Sequence, residues 1–470
     1  MILLPLGIIL ILAFAYSNTI ALDLTWAHFS ADGGDLIAAA ATGGVPHPSG
    51  YPLYLILGRL FLQFPTGTLA FRTNLLSSVC TILASLFLYS YLVMQFKGRI
   101  LQHLVAFLAA ISYGLAPFVW GQALVTEIYA LHGLLIIASL YVLSMKRNSL
   151  NEWLCGFVFG IAATNHVTAI TLFPLLQFDF QKKLLLPLQS IFRRTIGVII
   201  GLSLYLLLPL RASVDPPINW GDTSTFSGLL WLVSGRIYQP YWFSLTGLEV
   251  IQRFRAFAGL LVEQFTWFGV LLGIYGLLSM PPRRVLIPTF WIGSIFLFIS
   301  IVYGSRDSQV NLIPFWLVFS IWLAYGMQDL LAIFREKSQL QWLLSGLYLV
   351  VIIVHIPSSF IHTDLTNDHQ ARDFINFAIK KLPQRSIVFV EGDEQIFSLW
   401  YAQFVEHQRS DIVIIAKDLL PYAWYLENLQ HNYPELKMPH TDHTHSVELI
   451  AVNPDRDICY IGSDKPLYCQ

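Results

Sequence analysis

Runs of apolar residues separated by charged pairs fill the first three quarters of the chain. A bilayer core takes about 20 apolar residues in a helix. The runs predict about eleven such helices, at roughly 3–22, 73–95, 101–119, 126–145, 152–165, 167–180, 195–210, 257–279, 285–303, 310–331 and 341–357. The fifth and sixth runs are short and read equally as one bent span. The first lacks a basic leading segment and reads as a retained anchor rather than a cleaved signal peptide. Residues 51–65, YPLYLILGRLFLQFP, are apolar but short for a span, contain Arg59 and are bounded by Pro52 and Pro65. They read as an amphipathic helix lying in the membrane interface. From 358 onward the pattern changes. A helical stretch at about 367–382 is followed by the strand SIVFVEG, a helix near 393–407, the strand DIVIIAK and a helix near 420–432. The expected architecture is a mainly α, polytopic membrane domain, 1–357, with outer loops 23–72 and 211–256. A small α/β domain, 358–470, follows it.

Composition agrees with that pattern. Of 470 residues, 55% are hydrophobic and only 12% are charged, where a soluble domain carries roughly twice that charged fraction. A soluble enzyme, a disordered chain and a nucleic-acid binder with a basic face are excluded. The net charge of −1 hides an asymmetry, because residues 358–470 hold 9 Lys and Arg against 16 Asp and Glu. With the N-terminus in the cytoplasm, the inner loops hold Lys97, Arg99, Lys146, Arg147, Lys182, Lys183, Arg193, Arg194, Arg283, Arg284, Arg335 and Lys337. The longer outer segments hold fewer basic residues, so the charge bias places the two large loops and the whole tail outside the cytoplasm. Chemistry on those segments proceeds away from cytosolic nucleotide sugars and ATP. No glycine-rich phosphate loop is present to indicate nucleotide binding.

The first outer loop is the segment richest in candidate chemistry. Asp32 and Asp35 flank Gly33 and Gly34 just after the first run. At the first turn of a helix, both carboxylates would be favoured in the ionised form, as a base or a cation ligand. Asp32 reads equally well as a plain N-cap. The turn VPHPSGYPLY then holds His47 between two prolines. It suits the gripping of a lipid headgroup, or a simple re-entry into the membrane.

These segments, with Arg72-Thr-Asn-Leu-Leu-Ser at the entry to the second span, resemble a family of multi-span proteins whose animal member is an endoplasmic-reticulum protein O-mannosyltransferase. That family lies within the GT-C superfamily of polyprenyl-phosphate-sugar glycosyltransferases. Its loop motif runs D-x-G-E, then H-P-P-G-x-P-L. Asp32 and Gly34 match, Asp35 stands in place of Glu, and His47, Pro48, Gly50, Pro52 and Leu53 match with Ser49 for the second Pro. The resemblance continues through Glu127-Ile-Tyr129, Asn165-His166, Pro209-Leu-Arg211 and Pro217-Ile-Asn219-Trp220-Gly221-Asp222. In the tail it takes in Gly392-Asp393-Glu394, Leu399-Trp400-Tyr401, Asp411 and Trp424-Tyr425.

The resemblance implies transfer of a sugar, such as mannose, from a polyprenyl-phosphate donor to a hydroxyl outside the cytoplasm, usually with inversion. The acceptor would be a protein Ser/Thr, a lipid or a glycan. Asp32 is the expected base, and Asp35 would orient the acceptor or hold a cation. Arg211 and Arg306 are the expected phosphate ligands. His47, Tyr51, Arg72, Glu127, Tyr129, Asn165, His166, Asn219 and Trp220 complete the expected substrate-binding set. No cofactor is certain; a divalent cation is the one accessory group the acidic pair suggests. A bacterial inner membrane is the preferred location, from the short loops and the single pair of tail cysteines, Cys459 and Cys469. That pair reads equally as a disulfide or as two thiols. Cys80 and Cys155 lie in spans and read as packing residues. His440, His443 and His445 resemble a metal tract, although a polar linker is the more frequent meaning of such a run. Two other classes, a flippase for lipid-linked sugars and a non-catalytic membrane scaffold, leave the first loop unexplained. A transporter would also show repeated halves, which are not visible in the sequence.

Overall fold

A computed structural model describes residues 3–96, 100–180, 184–439, 446–462 and 467–470. The His440, His443 and His445 tract lies outside the described residues. Every apolar run is helical. Six helical segments have the length and composition of a membrane span: Leu69–Phe96, Leu188–Ala212, Gly247–Leu278, Arg283–Val302, Ser308–Ile333 and Ser338–Thr363. Leu3–Ser17, Ile100–Gly114 and Tyr129–Leu143 are shorter apolar helices. Residues of the fifth run form the helix Ser149–Asn165, and those of the sixth form the 3-10 helix Val167–Gln177. The chain leaves α geometry at His166, which is extended at φ −151° and ψ 126°. The two short runs are therefore two differently wound segments.

Core burial is uneven. The helix Ile313–Ile333 is buried along nearly its whole length, while Ser338–Thr363 shows much of its surface. An apolar helix that faces outward is what a lipid environment permits. Small residues bring helices close. A Cβ on Gly156 would lie 1.9 Å from the carbonyl oxygen of Arg194, so Ser149–Asn165 and Leu188–Leu202 touch backbone to backbone.

The stretch 51–65 contains the helix Pro52–Phe61, with Tyr54, Leu55 and Gly58 buried and Ile56 and Leu60 exposed. Such a one-sided helix suits an interface. In the tail, the strands Ile387–Val390 and Val413–Ala416 form as the pattern predicts, in parallel register. Ile458–Ile461 joins the other side of Ile387–Val390, also parallel, and Tyr468–Cys469 adds an antiparallel edge. Cys459 and Cys469 are disulfide-bonded across that edge, whereas Cys80 and Cys155 are free and buried.

The tail is docked on the loop 23–72. Arg372 bridges Asp23 at 2.8 Å and Glu406 at 2.6 Å. Trp26 Nε1 donates to Ser398 Oγ at 3.0 Å. Asn428 and Asn432 donate to the carbonyls of Pro216 and Pro217 in the loop 211–256. The helix Asp393–Trp400 lies on the helix Gly33–Thr42 so closely that a Cβ on Gly34 would come 2.2 Å from the Phe397 carbonyl oxygen. Glycine is required at Gly34 by this close approach.

Candidate active site

The first loop positions its acidic pair through the helix Gly33–Thr42. Asp32 precedes the helix but makes no side-chain capping bond. Its carboxylate instead lies 3.3 Å from His47 Nε2 and stays partly accessible, with 27% of the side chain exposed. Asp35, one turn along, is fully buried. One of its oxygens accepts from the His47 backbone N–H at 2.9 Å and from His47 Nδ1 at 2.7 Å. The other accepts from Trp220 Nε1 at 3.1 Å. The two carboxylates therefore have different tasks. Asp32 presents an oxygen to open space, and Asp35 is spent on holding His47 and Trp220.

The hydrogen bonds fix the protonation of His47. The Tyr51 hydroxyl donates to the Pro48 carbonyl at 2.7 Å, so toward His47 Nε2, 3.1 Å away, its oxygen accepts. Nδ1 faces a carboxylate. Both ring nitrogens then carry hydrogen, and the ring is an imidazolium. Burial alone would disfavour that charge. The carboxylates of Asp32 and Asp35 outweigh it and hold His47 well above the ordinary histidine range. Tyr51 is itself in a left-handed conformation, φ +42°, at the entry to Pro52–Phe61. That conformation is uncommon for a residue with a Cβ.

These groups form one wall of a cavity of about 210 Å³. Asp32, His47, Ser49 and Tyr51 come from the first loop, and Tyr129 and His166 from the ends of helices Tyr129–Leu143 and Ser149–Asn165. Tyr238, Tyr241 and Trp242 of the loop 211–256 join them. Tyr303, Ser305, Asp307 and Asn311 line another side, and the tail contributes Asp393. No Lys or Arg lines the cavity among the described residues. Arg253 is nearby in a supporting role: its guanidinium donates to the carbonyls of Ser300 at 2.9 Å and Ser305 at 2.7 Å, and also bonds Tyr303 O and Ser308 Oγ. It thereby clamps the 303–308 loop that carries Asp307. Enclosure raises Asp307 above the usual carboxylate range, a bond from Ser305 opposes the rise, and the charge of Asp32 adds to it.

Of the residues expected from the sequence, Asp32, His47, Tyr51, Tyr129 and His166 meet at the cavity. Asp35 and Trp220 stand behind them as supports. Asn219 lies opposite Val45 in a parallel bridge whose bonds run from Val45 N–H to the Ile218 carbonyl and from Trp220 N–H to the Val45 carbonyl, so that the loop 211–256 lies along the loop 23–72. Asn165 Nδ2 donates to the Ile128 carbonyl at 3.2 Å, and Glu127 is buried away from the lining. Arg72 donates to the carbonyls of Leu62, Thr66 and Gly67, tying down the turn before its own helix. Arg211 donates to the Gly44 carbonyl at 3.2 Å. Neither arginine lines the cavity. Arg306 is exposed and stands between two lining residues, Ser305 and Asp307. Among the described residues no group of three His, Cys, Asp or Glu side chains is close enough to hold a metal ion. Sequence reasoning missed Asp307, Tyr238, Tyr303 and Asp393 as lining residues. Only Asp393 carried a signal, the Gly392-Asp393-Glu394 motif.

Comparisons with known proteins bear on the fold as a whole. The architecture is similar over 98% of this chain and 93% of the neighbour to ArnT from Cupriavidus metallidurans, solved bound to undecaprenyl phosphate, with TM-score 0.58 and 10% identity. It is also similar over 92% of this chain and 68% of the neighbour to an oligosaccharyltransferase from Archaeoglobus fulgidus, with TM-score 0.53 and 11% identity. The chain is thus a membrane protein of GT-C fold. More particularly, residues 32–182 match the family model of the protein O-mannosyl-transferase TMEM260 N-terminal domain, and residues 371–446 match TMEM260-associated domain 2. The protein O-mannosyl-transferase TMEM260 of Mus musculus is 24% identical over 87% of this chain and 62% of its own length. The Dictyostelium discoideum protein of that name is 21% identical over 87% of this chain and 57% of its own length. The chain thus spans about three fifths of the length of these relatives. The family resemblance read from the sequence is shown by the two domains, matched in order.

Proposed function

We propose that this protein is a glycosyltransferase that moves a hexose, mannose in the preferred reading, from a polyprenyl-phosphate donor to an extracytoplasmic hydroxyl, with protein Ser/Thr as the preferred acceptor. The observation that carries this reading is the Asp32 carboxylate, accessible at the cavity wall and held by the buried pair His47 and Asp35. The names of the TMEM260 relatives and the lipid phosphate bound to ArnT support the class of acceptor and donor.

In the proposed step Asp32 takes the proton of the acceptor hydroxyl. The acceptor oxygen forms its bond to the anomeric carbon from the face opposite the phosphate, so the configuration inverts. The bond from that carbon to the phosphate oxygen breaks, and its electron pair leaves with the polyprenyl phosphate. The leaving group gains one negative charge. Hydroxyl donors of the cavity and the exposed Arg306 are the groups available to stabilise it. Asp35 orients His47 and does not meet substrate.

The topology belongs to the same proposal: N-terminus in the cytoplasm, loops and tail outside, supported by the basic inner loops. So does a bacterial inner membrane, although both curated relatives are eukaryotic.

The test is transfer in proteoliposomes. Purified protein is given a panel of radiolabelled polyprenyl-phosphate hexoses and a membrane-protein extract, beside Asp32→Asn. Label should reach protein only with the unaltered chain. Scrambling of lipid-linked sugar across the bilayer, with no transfer from any donor, would sink the proposal.

A further inference from the structure

The cavity has an unspent carboxylate contributed by the tail. Asp393 lines it, yet makes no hydrogen bond or ion pair among the described residues. Asp32 is engaged by His47, and Asp307 is bonded by Ser305 Oγ. Asp393 also differs in origin, because it is the cavity's contribution from the tail.

The fold of the tail gives this position meaning. Asp393 lies just past the carboxyl end of Ile387–Val390, where Gly392 at φ +94° turns the chain into the next helix. That strand is flanked on one side by Val413–Ala416 and on the other by Ile458–Ile461, all three parallel. The chain leaves the central strand to build one side of the sheet and returns to build the other. Ligands of open parallel sheets gather outside the carboxyl ends of strands at such a reversal. Here that end of the sheet is turned toward the membrane cavity and fixed there by the contact of Gly34 with Phe397.

We propose that Asp393 positions the acceptor, accepting hydrogen bonds from its hydroxyl or amide groups in the cavity that Asp32 also lines. This assignment rests on the glycosyltransferase reading above. A carboxylate suits this role better than donor binding. Placed against a lipid phosphate it would be repelled, whereas against a neutral acceptor it offers two acceptor oxygens. The wall formed by Tyr241, Trp242 and Tyr303 remains for the lipid donor.

The surroundings make the contact pH-dependent. Asp393 is accessible to cavity water but walled in by protein. Enclosure, followed by the charge of Asp32, pushes its carboxyl up to about 7, with His47 opposing the rise and Asp418 and Asp307 adding to it. Asp393 is therefore ionised above that value and protonated below it. Acceptor binding should strengthen as pH rises through neutrality.

The experiment uses the full chain in detergent, with radiolabelled polyprenyl-phosphate mannose and a synthetic Thr-rich peptide as the acceptor probe. The Asp393→Asn variant should raise the KM for peptide at least tenfold at pH 8. It should leave kcat and the donor KM within about threefold, and leave hydrolysis of the donor by water undiminished. Its peptide KM should no longer depend on pH between 6 and 8, and Asp393→Glu should restore part of that dependence. Glu394→Gln, which alters the neighbouring exposed carboxylate, should behave as the unaltered protein. A peptide KM and pH profile unchanged in Asp393→Asn would overturn the assignment, as would a rise in donor KM, which would make Asp393 a sugar ligand. Equal loss of transfer and hydrolysis would overturn it in favour of a purely structural role. Absence of transfer by the unaltered chain would defeat the glycosyltransferase reading itself, and so is told apart from failure of this assignment.

Discussion

Replacing Asp35 by Asn tests the division of labour between the two loop carboxylates. The change is nearly isosteric, so it removes charge and one acceptor oxygen without opening a cavity. In the intact protein Asp35 accepts three bonds: two from His47, at 2.9 and 2.7 Å, and one from Trp220 at 3.1 Å. An amide can turn only one oxygen to these donors, and its NH2 must then face either the imidazolium or the indole N–H. One charge-assisted bond is lost, worth about 1.5–3 kcal/mol, and one buried donor is left unsatisfied, costing about 1–3 kcal/mol. The sum resembles the ~3–5 kcal/mol of breaking a buried pair. Transmitted to the transition state, at about 1.36 kcal/mol per factor of ten, it lowers kcat/KM by roughly two to three and a half powers of ten.

The pH profile separates lost positioning from general damage. Asp35 is one of the groups that hold His47 above the ordinary histidine range. Without it the imidazolium gives up its proton at lower pH, and the alkaline limb of activity moves downward. The stability linkage has the same sign. A histidine whose folded pKa is raised contributes stability that is complete below about 6.5 and is lost as pH rises through the folded value. Asp35→Asn should therefore lose most of its stability difference from the unaltered protein at high pH. The assay is single-turnover transfer from pH 5.5 to 10, with melting temperatures measured alongside. A variant within threefold of normal, with its alkaline limb unmoved, would refute the positioning role.

Two further perturbations separate contacts in the same way. Gly34→Ala places a methyl 2.2 Å from the Phe397 carbonyl oxygen and should lift the tail from the first loop; limited proteolysis around 364–371 should quicken and transfer should fall, while an intact interface and normal activity would contradict the docking geometry. Arg306→Ala should raise the donor KM roughly ten- to a hundredfold through loss of a charge-assisted bond to phosphate, worth about 1.5–3 kcal/mol; Arg72→Ala, which loses only bonds to the carbonyls of Leu62, Thr66 and Gly67, should lower the melting temperature and leave the donor KM unchanged, and the reverse pattern would assign the phosphate to Arg72.

Much of the scaffold was legible because its causes are local. Apolar runs bounded by charge produced helices, and short unbroken apolar runs produced both expected tail strands. The strands Ile458–Ile461 and Tyr468–Cys469 were missed, since each is short and gains its place only by pairing. Asp32, His47 and Tyr51 were found together because one rigid turn carries them. The difference between Asp32 and Asp35 was not legible. It depends on Trp220, which arrives from a distant loop to occupy the second oxygen of Asp35. Arg72 and Arg211 stand off the cavity lining for a related reason. An Arg at an outer helix end looks alike whether it awaits phosphate or, as Arg72 does, satisfies carbonyls of its own turn. Asp393 stood in a recognised motif, but only the docking of the tail brings it into the cavity that Asp32 lines.

The claim that Asp32 is the base is tested most directly by single-turnover transfer in Asp32→Asn, with binding of radiolabelled polyprenyl-phosphate mannose measured on the same preparation. Donor binding should stay within about threefold of normal, because Asp32 acts on the acceptor's proton. The rate of the chemical step should fall by about 10²–10⁴, the usual contribution of a positioned base. Transfer at the normal rate in this variant would contradict the assignment and move the base to another carboxylate of the cavity.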